Sequence, residues 1–97
     1  MKNLLKKLFA PKNPILKPDD RIQLKAKHTG ARDFYTDDYV RITKDDRLIF
    51  IKEKGNRLIF RVRTNYIPSD NYDVRDNEII YFSKKNFKAI KYRKVRQ

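Results

Sequence analysis

Residues 47–63, RLIFIKEKGNRLIFRVR, decide the fold: two apolar runs, 48–51 and 58–62, flank the break Glu53-Lys54-Gly55-Asn56. Runs of strand length, rich in Ile, Leu, Phe and Val and separated by a few turn residues that include Gly, predict a β-hairpin. Its register depends on the turn. If Glu53, Lys54 and Gly55 form a three-residue loop, with Gly55 in the left-handed conformation that costs Gly nothing, the even-numbered residues Leu48, Phe50, Leu58, Phe60 and Val62 share one apolar face. A two-residue turn at Lys54-Gly55 slips the register by one and sets Ile49 and Ile51 beside Leu58, Phe60 and Val62 instead. The three-residue loop is preferred and the register stays open. Under both, Arg57, Arg61 and Arg63 project together from one side of the second strand, because side chains alternate along a strand.

Ninety-seven residues make one domain; a chain of this size has no room for a second core. A hydrophobic fraction of 39%, with six Phe and six Tyr, is enough for a small core, while 38% charged residues must be mostly solvated. The chain has no Cys and one His. Disulfides, thiol chemistry and Cys/His zinc sites are thereby excluded, and a reducing cytoplasmic setting fits.

Charge is the strongest functional signal. Twenty-five Lys and Arg against twelve Asp and Glu give a net charge of +13. Such an excess destabilises a compact chain by self-repulsion and points to a polyanionic partner. The charge is also blocked: residues 1–18 and 83–97 contain no acid, 47–63 contain one, and the intervening segments are net acidic. A fold that gathers the basic blocks makes one cationic surface.

In chain order, residues 1–10, MKNLLKKLFA, place Leu4, Leu5, Leu8 and Phe9 on one side of a two-turn helix with Lys2, Lys6 and Lys7 opposite. This short amphipathic helix is too short to span a bilayer and too interrupted by Lys for a secretory signal. It packs on the β domain, docks elsewhere or touches a membrane surface. Pro11, Pro14 and Pro18 make an extended connector that no regular helix crosses. The division is therefore 1–18 for helix and connector, and 19–97 for one β domain with a basic tail. Residues 21–27 alternate Ile22, Leu24 and Ala26 with polar residues, a half-exposed strand. Asp19-Asp20, Asp37-Asp38 and Asp45-Asp46 each precede a strand-like run and read as turn formers. Residues 28–36, HTGARDFYT, read as a loop or wide hairpin connection. Residues 64–77 are polar and turn-rich, with the turn itself expected at 68–71. Asp70, Asp73 and Asp76 lack the spacing of a calcium loop, and no metal or cofactor is expected. Residues 78–82, EIIYF, are a compact strand. For 83–97, SKKNFKAIKYRKVRQ, a helix capped by Ser83 gives a poorer apolar stripe than a strand to Tyr92. The strand is preferred, paired with 78–82 through a turn at Lys84-Lys85-Asn86 and followed by a frayed basic tail.

The expected fold is mainly β: a small twisted antiparallel sheet, or a five- to six-stranded barrel of SH3-like or OB-like architecture that removes strand edges. The expected function is non-catalytic nucleic-acid binding with little sequence specificity, either DNA or RNA. Phosphates would be met by Arg57, Arg61, Arg63, Lys84, Lys85, Lys88, Lys91, Arg93, Lys94 and Arg96, with Tyr81, Phe87 and Tyr92 as candidate stacking rings. No helix-turn-helix, zinc-finger or RNA-recognition signature indicates base-specific readout. The alternative is a protein-interaction module whose Ile49, Ile51, Ile59, Arg57 and Arg61 face an acidic protein surface. A weaker third reading, a small basic ribonuclease, would use His28 as the base with Arg32 and Tyr35 beside it.

Overall fold

A computed structural model describes residues 16–65, 67 and 73–96. The expected N-terminal helix, most of the Pro-rich connector and the expected turn at 68–71 lie outside the described residues. The described chain is mainly β. It forms β1 (Arg21–Leu24), β2 (His28–Asp33), β3 (Tyr39–Ile42), β4 (Arg47–Lys54), β5 (Arg57–Arg63), β6 (Ile79–Ser83), the one-turn helix α1 (Lys84–Lys88) and β7 (Tyr92–Val95). All seven strands join one antiparallel sheet in the order β3-β2-β6-β5-β4-β1-β7. The sheet is not closed: β3 and β7 are its edges. The expectation of one antiparallel sheet holds, with seven strands where five or six were expected, and the open edges depart from the expected barrel.

The β4–β5 hairpin is the central pair, and its turn differs from both expected turns. Lys54 pairs with Arg57, so the loop is Gly55-Asn56. Gly55 has φ +59, as the first position of a II′-type two-residue loop requires, and that backbone suits Gly because it lacks a Cβ. From Lys54↔Arg57 the pairing runs through Glu53↔Leu58 to Lys52↔Ile59, then slips at Ile51 and continues as Phe50↔Phe60, Leu48↔Val62 and Arg47↔Arg63. This bulge inserts one residue into β4 and flips its parity. Beyond it the even-numbered residues of both strands share a face, so Leu48, Phe50, Phe60 and Val62 are buried together with Leu58 packed at their side. The preferred apolar face is the one observed, reached by a two-residue turn plus a bulge.

One sheet face curls round the core. Ile22, Leu24, Ala31, Val40, Ile42, Ile80, Phe82 and Val74 join the hairpin residues there. Phe60 sits at its centre, with ring centroids 5.4 Å from Phe50, 5.7 Å from Phe82 and 5.6 Å from Phe87. Burial of one such ring contributes roughly 1.5–3 kcal/mol.

Three expected elements are corrected. Residues 84–88 are a helix and not the continuation of a strand: the Ser83 hydroxyl accepts the Asn86 N–H at 3.1 Å. One helical turn drives Phe87 inward against Phe60, Phe82 and Tyr92, whereas an exposed strand would leave that ring wet. The segment after it is ordered as β7 on β1, with Leu24↔Tyr92 and Arg21↔Val95 paired, so the tail is not frayed from Tyr92 to Val95. The stretch expected to be a loop from His28 is also a strand, β2, whose pairing with β3 is interrupted by a bulge between His28 and Ala31.

The acidic turn formers act as expected at two of the three sites. The Asp20 carboxylate accepts the Lys17 N–H and the Asp46 carboxylate the Thr43 N–H, each at 2.8 Å. In both, the Asp N–H returns a bond to the carbonyl three residues back. Glu78 closes the same reciprocal turn with Arg75 ahead of β6. These turns aim the chain into β1, β4 and β6 and satisfy backbone groups that a sheet leaves over. At Asp37-Asp38 the turn is closed from Asp33 instead, whose N–H donates to the Asp38 carbonyl at 2.8 Å while its carboxylate accepts the Tyr35 and Thr36 N–H groups.

Truncating Phe87 tests the packing. Phe87→Ala should lower unfolding stability by about 3–4 kcal/mol, measured by urea denaturation with an unchanged m-value. A loss below about 1 kcal/mol, the scale of a surface change, would place the ring outside the core.

Candidate nucleic-acid interface

Strand alternation fixes what lies opposite the core. With Ile22, Leu24, Val40, Ile42, Leu48, Phe60 and Val62 inward, the intervening residues turn outward. Arg21, Arg32, Arg41, Arg47, Arg57, Arg61, Arg63 and Arg93 thus share the outer face. Cross-strand pairing sets Arg47 opposite Arg63 and Arg61 between Ile49 and Ile79. Like charges facing each other destabilise a sheet, and local partners offset part of this. Asp76 lies 3.4 Å from Arg63, and Asp73 lies 3.2 Å from Arg41. Arg32 donates to the Asp37 carbonyl at 3.0 Å and to the Tyr39 hydroxyl at 2.6 Å. Arg57 stands over the Tyr81 ring, 4.3 Å from its centroid, a cation–π interaction that keeps the guanidinium accessible.

The C-terminal cations gather elsewhere. Lys88, Lys91 and Lys94, joined by Lys25 from the β1–β2 connection, ring an open cup of about 400 Å³ floored by Ala89, Ile90 and Tyr92. A bond from the Lys25 N–H to the Lys91 carbonyl, 3.0 Å, holds its two sides together. Lys94 has Asp20 at 3.4 Å. β7 connects cup and outer face: Lys94 serves the cup, while Arg93 is on the outer side, donating to the Gln23 side chain at 2.6 and 3.1 Å. Lys84 is held by Glu53 at 2.9 Å. Lys85 and Arg96 are exposed. Among the described residues, Lys25, Arg57, Arg61, Lys85, Lys88, Lys91 and Arg96 form no ion pair.

The expected phosphate-binding cations therefore fall into two groups. Arg57, Arg61, Arg63 and Arg93 are on the outer face; Lys88, Lys91 and Lys94 are in the cup, with Lys84, Lys85 and Arg96 outside both. The expected stacking rings do not serve. Phe87 is in the core, Tyr81 is covered, and Tyr92 is half-buried against Phe87 with its hydroxyl enclosed. Tyr81 and Tyr92 lie on strands and Phe87 on α1, and the burial of all three rings depends on tertiary packing. Lys25, Arg21 and Arg47 join the surface without a signal in the sequence, since only the sheet order brings β1 between β4 and β7.

The three residues of the ribonuclease reading are not brought together. His28 is on the core side, edge-on to Phe82 at 5.5 Å, and its Nδ1 accepts the Gly30 N–H at 2.9 Å. Burial pushes its pKa down, favouring the neutral ring. Arg32 is on the opposite face, and Tyr35 is exposed beyond β2. Among the described residues no cluster of three His, Asp or Glu could hold a metal ion, and no helix is long and apolar enough to cross a membrane.

At the end of β2, Asp33 and Glu78 form a carboxyl pair beside the outer face. Burial pushes Glu78 up, and the neighbouring Asp33 adds to this against the Arg75 N–H. Burial also acts to raise Asp33, but the Thr36 and Tyr35 N–H groups and the Glu78 carboxyl outweigh it and hold Asp33 below the ordinary Asp value. Of the two carboxyls, Glu78 is therefore the one that takes up a proton first as pH falls. Comparison with family models, with curated proteins and with solved structures finds no match to this chain.

A pH series tests the pair. A raised native pKa means that the folded state keeps the Glu78 proton longer than the unfolded state does. Its contribution is then complete below the ordinary Glu value and is lost as pH rises through the raised one. Glu78→Gln, which cannot ionise, should gain stability relative to wild type as pH increases across that window. Urea midpoints between about pH 4 and 7 check it; a difference that does not change with pH would contradict the pairing.

Proposed function

We propose that this chain is a non-catalytic nucleic-acid-binding protein that grips phosphates through the outer face of its sheet and the lysine cup beside β7, with little sequence specificity. One observation carries the reading: cations that form no ion pair among the described residues, drawn from separate parts of the sequence, converge on two adjoining surfaces. A solvated cluster of four lysines round a concavity repels itself, and a chain of phosphates relieves that repulsion while releasing condensed counterions. The outer face is one sheet wide and crossed by arginines on β5, β1 and β7, so it suits a backbone tracked by charge more than an edge read by hydrogen bonds. The chain's lack of Cys suits a reducing cytoplasm, and that compartment is part of the proposal.

A second reading has its own support. Ile49, Ile51 and Ile79 are only half-buried on the outer face, and apolar residues among arginines also suit an acidic protein surface.

Fluorescence-anisotropy titrations with single-stranded DNA, duplex DNA and RNA at several salt concentrations separate the two. Binding should be micromolar or tighter and fall linearly in log–log form with salt. Lys25/Lys88/Lys91→Ala and Arg57/Arg61→Ala should each reduce the slope by roughly 1.5–3, at about 0.7–0.9 for every phosphate no longer neutralised. No binding near physiological salt, or wild-type slopes in both variants, would favour the protein partner.

A further inference from the structure

Three large apolar or aromatic side chains are exposed among the described residues, and two of them, Tyr35 and Tyr39, flank the β2–β3 loop on the outer face. Tyr35 is 78% exposed, yet it is not on a loose tip: the Asp33 carboxylate accepts the N–H groups of Tyr35 at 2.8 Å and Thr36 at 2.9 Å. Phe34, tied to β6 through its N–H to the Ile79 carbonyl at 2.9 Å, backs the Tyr35 ring edge-on at 5.2 Å. Tyr39, 54% exposed, is backed by the Arg32 guanidinium at 4.0 Å. Each ring is fixed from behind and open in front.

Tyr35 and Phe34 form one wall of an open groove of about 540 Å³ floored by Ile51, Ile59 and Ile79. Lys52 and Arg61 stand at its rim, and Glu78 closes one end. An apolar floor and a carboxyl repel a phosphate, while the rim attracts one. The groove therefore fits a flat, neutral ring with hydrogen-bonding edges, carried on an anionic backbone. We propose that it receives an unpaired nucleobase stacked on Tyr35, with the adjoining phosphates on Lys52 and Arg61, so that the chain prefers single-stranded to duplex nucleic acid. This rests on the nucleic-acid reading above. In a duplex the bases are stacked and paired, and none can enter. Charge alone works the other way, since a duplex has the denser phosphate array, so a preference for single strands cannot come from the cations.

The test is anisotropy at one salt concentration with a single-stranded oligonucleotide and a duplex of the same length. Wild type should bind the single strand about 5-fold or more tightly than the duplex, and Tyr35→Ala should remove at least about 5-fold of the single-strand affinity, the scale of one base stacked on an aromatic ring. Tyr35→Phe should bind like wild type, and Tyr35→Ala should leave duplex affinity within about 2-fold, since every phosphate-binding cation is still in place. The exposure of Tyr35 leaves the core of the Ala variant untouched. Equal affinity for both forms, or equal reductions on both in Tyr35→Ala, would overturn the base pocket while leaving phosphate binding intact and marking the groove as protein-facing. Binding of neither form by wild type would overturn both.

Discussion

Phe60 holds the structure together. It lies on the central strand pair and touches rings from β4, β6 and α1, so the apolar sides of hairpin, third strand and helix are drawn to one point. Such ring pairs add about 0.5–1.5 kcal/mol each beyond the area they bury. In a small chain with so little apolar material, concentrating it on one face is the condition for folding at all. The corollary is that the other face of the sheet must be solvated, and there the arginines are placed.

The two faces thus answer one constraint. An excess of cations cannot be buried, and it cannot be dispersed evenly when seven strands are packed into one sheet. The fold places the acids where they also satisfy backbone groups: Asp20, Asp46 and Glu78 close the turns before β1, β4 and β6. Asp20 shows the electrostatic side of this role, since the Lys17 N–H and then Lys94 hold its carboxyl below the ordinary Asp range. Twelve acids against twenty-five Lys and Arg leave many of the cations without partners, and that imbalance is the basis of the proposed function.

Much of this was legible in the sequence, and what was not has physical causes. The hairpin face followed from hydrophobic parity, although the bulge at Ile51 that preserves it leaves no local signal. The cationic residues were legible because charge cannot hide in a core. β2 was not, because its pairing is interrupted and only Ala31 is fully buried along it. The helix after Ser83 was hidden because one turn has no periodicity to detect; its signs are a cap and a single inward ring. Aromatics were the least legible. Phe87 and Tyr92 stand among cations just as surface rings would, and Tyr81 ends an apolar run, yet tertiary packing covers all three, while Tyr35 stood out only as a companion to His28, from which the sheet separates it.

That a nucleic acid lies on the outer face and the lysine cup is the central claim, and backbone amide chemical shifts of the isotope-labelled chain, followed during titration with a short single-stranded oligonucleotide, test it most directly. Changes are expected in β5 at Arg57, Arg61 and Arg63, in β7 and its approach from Lys88 to Lys94, and around Tyr35. Shifts confined to other surfaces, or none at saturating oligonucleotide, would contradict it.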